Sequence, residues 1–165
     1  MTAAPGRVVV VGSYVQDHAW VVDQFPAPGE TRRATSFSTG PGGKGFNQAV
    51  ACVRQGVATT FLGAIGDDAL GATARRFAQE EGLDAHWQSV APTPTAASSI
   101  VINAQGENQI AVDLSSNEKL DARFLRERAD VFTGSDVVLC QMENGLEAIN
   151  AALALGREAG ARCVL

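Results

Sequence analysis

The sequence predicts an α/β fold, a mainly parallel sheet flanked by helices with a small antiparallel insertion built from its loops. Three observations predict it. Arg7-Val8-Val9-Val10-Val11 is an unbroken β-branched run closed by Gly12, the pattern of a strand buried on both faces of a parallel sheet. Strand-like stretches then alternate with helix-like ones, 59–65 before 67–82 and 136–140 before 145–159, as a βα succession requires. Two further pairs of extended stretches fall outside that succession, 18–25 with 31–38 and 96–103 with 108–113. The turn-rich segments Pro26-Ala27-Pro28-Gly29 and Ala104-Gln105-Gly106-Glu107 join them.

Taken in order, strand one runs into Gly12-Ser13, and Asp17 follows where ligands sit off the carboxyl ends of strands in open α/β sheets. The stretch Gly40-Pro41-Gly42-Gly43-Lys44-Gly45 lets backbone approach a ligand closely. Phe46, Ala49, Val50 and Val53 behind it have the i, i+3, i+4, i+7 spacing of one helix face. A helix starting there offers unpaired N–H groups and a partial positive charge, and Lys44 and Asn47 add donors in the first turn, so the expectation is a place that holds oxygens. A phosphate-binding P-loop is excluded, because Gly45 follows the lysine and Ser38 stands where its first glycine belongs. A dinucleotide fingerprint is excluded because no G-x-G-x-x-G follows strand one. A glycine turn that only lets a helix pack is the remaining structural alternative.

In the next βα unit Asp67 is expected to cap a helix that buries Leu70, Ala74, Phe77 and Ala78 and stops at Gly82. Glu143 lies just past the strand at 136–140, and Asn144 with Glu147 resembles a capping box ahead of a helix carrying Leu146, Ile149 and Leu153. His18 and His86 stand in unrelated contexts and are not read as a base or a ligand pair. Residues 161–165 begin like another buried strand with nothing to cover it, so the chain reads as a fragment.

At 165 residues, 45% hydrophobic and 19% charged, the chain suits one domain with a sizeable core. A net charge of −5 without a Lys or Arg run argues against nucleic acid or an anionic membrane as partner. Cys52, Cys140 and Cys163 are odd in number and lie in apolar stretches, which predicts buried thiols in a reducing cytosol and neither a disulfide framework nor a zinc site. Residues 1–6 lack a hydrophobic signal region, and no stretch approaches the roughly 18 apolar residues of a membrane span, so a cytoplasmic location is expected.

Gly42-Gly43-Lys44-Gly45-Phe46-Asn47-Gln48-Ala49, followed by Gly56 and Gly66, resembles the N-terminal signature of the ribokinase (PfkB-type) carbohydrate kinases. The likeness spans the chain through Gly12-Ser13 with Asp17-His18, Phe25-Pro26-x-Pro28-Gly29-Glu30-Thr31, Gly66-Asp67-Asp68-x-x-Gly71, Gly106-Glu107-Asn108 and Gln141-x-Glu143. It implies a three-layer αβα fold whose insertion, at about 18–38 and 96–113, is a β lid over a sugar, with residues 1–165 the N-terminal part of one such domain. It implies Asp17, Gly43, Lys44, Asn47 and Glu143 as sugar contacts and ATP-dependent phosphorylation of a sugar hydroxyl. It places the catalytic aspartate and the contacts to ATP and Mg2+ in a later half, leaves room for a monovalent cation, and points to a homodimer clasped through the lid. By that reading residues 1–165 alone are inactive.

Three positions depart from the ribose-specific pattern. Val15 stands where ribokinases carry a sugar-contacting asparagine, Phe46 replaces a small residue, and Ser115-Ser116-Asn117 replaces Gly-Ala-Asn. Fructokinase-like or nucleoside-kinase-like specificity therefore stays open, as does a non-catalytic sugar-binding module.

Overall fold

The computed structural model of the protein describes residues 6–165, so all but the last residue of the N-terminal stretch read above lies outside it. The chain runs β1 (Arg7–Val11), β2 (Val15–Val21), β3 (Ser36–Gly42), α1 (Lys44–Arg54), β4 (Ala58–Ile65), α2 (Ala69–Glu80), β5 (Asp84–Ser89), β6 (Ala97–Ile102) and β7 (Asn108–Asp113). A single 3-10 turn (Ser115–Lys119), α3 (Ala122–Arg126), a second 3-10 turn (Ala129–Phe132), β8 (Val137–Cys140), α4 (Leu146–Glu158) and β9 (Arg162–Val164) follow. Five strands form one sheet in the order β5-β4-β1-β8-β9, every pairing parallel.

The valine run of β1 is central and feeds both faces of that sheet. Val9 and Val11 pack with Leu62, Val138 and Cys140 under α3 and α4. Val10 packs with Phe61 and Ile65 under α1 and α2, where Phe46, Ala49, Val50 and Ala74 close a second core. Each such side chain contributes about 1.5–3 kcal/mol on burial, so the fully buried part of the strand, Val9 to Val11, is aliphatic while Arg7 stands at its less buried start.

The remaining four strands form a separate sheet, β3-β2-β6-β7. Its outer pairings are antiparallel, as expected, but β2 and β6 pair parallel and fuse the two hairpins into one mixed sheet. The reason is topological. β2 and β6 follow β1 and β5, two parallel strands of the main sheet, and so leave it in the same direction.

Several boundaries differ from expectation. β2 begins at Val15 and β3 ends at Gly42, so Asp17 is a strand residue and Gly40-Pro41-Gly42 is strand, not loop. Proline and glycine are tolerated there because β3 is an edge strand. The cap of α2 is Asp68, not Asp67, its carboxylate accepting from Gly71 N–H at 2.8 Å, and Leu70 is only half-buried. At α4 the capping box does not form: Gly145 is the cap, Asn144 donates instead to the Asn117 carbonyl at 3.1 Å, and Leu146 is exposed. β5, α3 and the two 3-10 turns lacked a readable period. Of the thiols only Cys140 is buried, its acidity pushed down to a pKa of about 12 by desolvation, while Cys52 and Cys163 are half-buried.

Candidate functional site

The site is assembled where the N-terminus of α1 meets the carboxyl end of β1. Gly12 and Gly45 touch there: a Cβ on Gly45 would stand 2.6 Å from the Gly12 Cα, backbone against backbone, with the buried Gln141 Oε1 equally close. Gly43 precedes the helix with φ of +91°, and a Cβ on it would meet the Ser13 carbonyl oxygen at 2.8 Å. Only glycine fits either place, and the helix end is thereby pressed onto the strand end.

That contact has an electrostatic consequence. The first N–H groups of α1 are partnered within the protein: Lys44 N–H donates to Glu143 Oε2 at 3.2 Å, Gly45 N–H reaches Ser13 Oγ at 3.4 Å, and Phe46 N–H donates to the Ser13 carbonyl at 2.9 Å. The expectation that the bare helix N-terminus holds a ligand's oxygens is therefore corrected. Glu143 occupies it, favourably placed against the helix dipole, and the Lys44 ammonium pairs with its other oxygen. Ser13 Oγ also donates to Glu143 Oε2 at 2.6 Å. Burial pushes the Glu143 carboxyl up, but the hydrogen bonds from Lys44 and Ser13 outweigh it and hold the group below the ordinary range.

Above this platform lies the four-stranded sheet, and between them is a cleft of about 300 Å³. All five residues singled out in the sequence line it: Asp17 from β2, Gly43, Lys44 and Asn47 from the start of α1, and Glu143 from the turn after β8. Asp17 Oδ1 accepts from Ser98 Oγ of the neighbouring strand at 2.6 Å. One wall, from the start of α1 and the turn after β8, carries Lys44, Asn47 and Glu143; the other, a face of the four-stranded sheet, is aliphatic at Val15, Ile100, Ile110 and Val112, with Asp17 and Ser98 among them. A small molecule with several hydroxyls and a compact carbon skeleton matches both walls. A larger cleft of about 440 Å³ on the far side of α1 has no carboxylate, and its one cation, Arg54, is paired with Glu81 at 2.8 Å.

Three departures from the family pattern separate once placed. Val15 is in the cleft and 4% exposed. Phe46 is not: its ring is buried edge-on against Tyr14 and Phe61 in the core. Ser116 and Asn117 hold the roots of the upper sheet, Ser116 Oγ bonding the Ala64 carbonyl and Ala96 N–H, and Asn117 clamping both N–H and C=O of Tyr14. His18 stacks on Phe37 on the sheet's outer face, and His86 lies in β5 beside Asp84. Reasoning from sequence missed Ser13, Ser98 and the aliphatic wall. The alternation of Ile110 and Val112 was a signal for the wall and the Gly12-Ser13 pair of the likeness a signal for Ser13, whereas nothing local marks Ser98.

Among the described residues no group of three or more His, Cys, Asp or Glu side chains could hold a metal ion. Among the same residues no helix is long and apolar enough to cross a membrane.

Sheet order, a mixed sheet roofing a polar cleft and a glycine-bound helix start define the ribokinase-like class of α/β folds. The pfkB family carbohydrate kinase pattern matches residues 6–164. The chain belongs to that family. It is 32% identical to the ribokinase of Haemophilus influenzae over 159 residues, covering 96% of this chain and 52% of that one. It is 28% identical to the deoxyribokinase of Salmonella typhimurium, with the same shares covered. A structure of Arabidopsis thaliana ribokinase complexed with ribose and ATP superposes with a TM-score of 0.83 at 26% identity, over 98% of this chain and 53% of that one. The chain thus spans about half the length of the curated relatives it matches.

Proposed function

We propose that the full-length protein is an ATP-dependent carbohydrate kinase that phosphorylates a hydroxyl of a small sugar, and that residues 1–165 carry the acceptor half of its site. The observation supporting this is the convergence of Asp17, Gly43, Lys44, Asn47 and Glu143 on one roofed cleft. A sugar hydroxyl both donates and accepts, so it can give its proton to Asp17 or Glu143 while accepting from Lys44 or Asn47. The aliphatic wall faces the carbon skeleton. Phosphoryl transfer depends on positioning and charge stabilisation, with reacting atoms held about 3–3.5 Å apart. The work of this half is the first of these, and the roof acts as a lid that excludes water.

ATP supplies the phosphoryl group and Mg2+ offsets its charge when bound; the residues that hold them, and the general base, belong to a later half of the protein. Pentoses of the ribose and deoxyribose kind, named for the relatives, are the proposed acceptors. Val15 can pair with no hydroxyl, and a site without such a pair discriminates weakly for one. The proposed compartment is the reducing cytosol, in keeping with three free thiols.

A paired assay of ATP consumption tests this. Full-length protein should turn over D-ribose and 2-deoxy-D-ribose at kcat/KM values within roughly tenfold of each other, and residues 1–165 alone should turn over neither. Turnover by the short chain near the long one's rate would place the base within these residues. A hundredfold preference for D-ribose would refute the reading of Val15.

A further inference from the structure

Ser13 sits where three distant segments meet. It is completely buried. Its hydroxyl donates to Glu143 Oε2 at 2.6 Å across 130 residues of chain and receives Gly45 N–H at 3.4 Å, while its carbonyl takes Phe46 N–H at 2.9 Å. We propose that Ser13 is a positioning residue for acceptor binding: its hydroxyl fixes the Glu143 carboxylate, and through it the Lys44 ammonium, at the mouth of the cleft. This rests on the sugar-site reading above.

Rigidity separates Ser13 from the other partners of Glu143. Glu143 lies on a turn between β8 and α4, where no ladder of backbone bonds holds it. Lys44 cannot direct it, because its side chain is 68% exposed on a flexible four-carbon stem and its ammonium is a point charge without a preferred approach. Ser13 is the opposite kind of partner. It lies two residues past the end of the central strand, its side chain turns about a single bond before the hydroxyl, and its backbone is held by α1. Of the groups bonded to Glu143, the Ser13 hydroxyl and the Lys44 N–H have fixed positions, and both act on the same oxygen, Oε2. The other oxygen is left to Lys44 and, across the cleft, to the ligand. The charged groups facing Glu143 are Lys44 on α1 and Asp17 on β2, which line the same cleft.

The test uses full-length Ser13→Ala and Ser13→Cys, the latter keeping the volume and a weak donor should the alanine variant fail to fold. Carbon-13 NMR follows the Glu143 carboxyl, identified by its loss in Glu143→Gln. A donor to the ionised form lowers a carboxyl's pKa, so Glu143 should titrate at higher pH in Ser13→Ala than in the parent, with Ser13→Cys between. With D-ribose as probe the sugar KM should rise about tenfold, while the KM for ATP stays within roughly twofold. An unchanged Glu143 titration in both variants would overturn the proposal. A Glu143→Gln variant with an unchanged D-ribose KM would instead overturn the sugar-site reading, leaving the titration to report on Ser13 by itself.

Discussion

Asp17 shows how tightly a single cleft residue is fitted. Its Oδ1 takes the Ser98 hydroxyl at 2.6 Å, and its Oδ2 lies so near Gly42 that a Cβ there would come within 2.0 Å. Neighbouring strands therefore hold the carboxylate from both sides, and the glycine next to it makes room for it. A hydrogen bond to a charged group contributes about 1.5–3 kcal/mol. Asp17→Ala in the full-length protein should lower kcat/KM for the sugar by roughly tenfold to a hundredfold without a large change in melting temperature. Unchanged sugar kinetics in a folded variant would remove Asp17 from the site.

The roots of the four-stranded sheet are fixed at the level of elements. Asp68 both caps α2 through Gly71 N–H and receives Thr95 N–H at 2.8 Å and Thr95 Oγ1 at 2.7 Å, tying the helix start to the chain as it leaves β5 for β6. Burial pushes the Asp68 carboxyl up, but these three bonds outweigh it and hold it below the ordinary range. A carboxyl depressed in the folded state stabilises above its unfolded pKa, about 3.9, and the contribution is lost as pH falls through the folded value. Asp68→Ala should cost about 0.5–2 kcal/mol near neutral pH. Denaturant unfolding should show that gap holding down to about pH 5 and closing below about pH 4. A gap independent of pH would mean that the charge contributes nothing.

At the scale of the molecule the four-stranded sheet presents β7 as an edge strand, paired with β6 on one side only. All six residues of β7 are exposed, and Ile110 and Val112 are 55% and 52% exposed on the cleft-facing side. Exposed edges with apolar alternation pair with other chains unless something blunts them, which supports the proposal that the full-length protein is a homodimer joined through its lids. It should sediment as a dimer at tens of micromolar, and Ile110→Lys should shift it toward the monomer. A monomer in the unmodified protein at that concentration would refute the proposal.

What was legible in the chain was what depends on near neighbours. The Val8–Val11 run already specified a strand buried on both faces, and the βα alternation specified the parallel sheet around it. The habit of such sheets to bind at strand ends, read with the family signature, singled out Asp17, Gly43, Lys44, Asn47 and Glu143, which the fold brings to one cleft. Only the tertiary structure decided which donor meets which acceptor. Asn144 looked like a cap and is drawn to the Asn117 carbonyl; Asp68 takes the capping role expected of Asp67 because Thr95 stands beside it. The start of α1, which read as open to a ligand, is filled by Glu143 from 99 residues away and by Ser13. Propensity and periodicity act over a few residues along the chain. A hydrogen bond acts over about 3 Å in space, and which groups come that close is known only once the strands that carry them are packed.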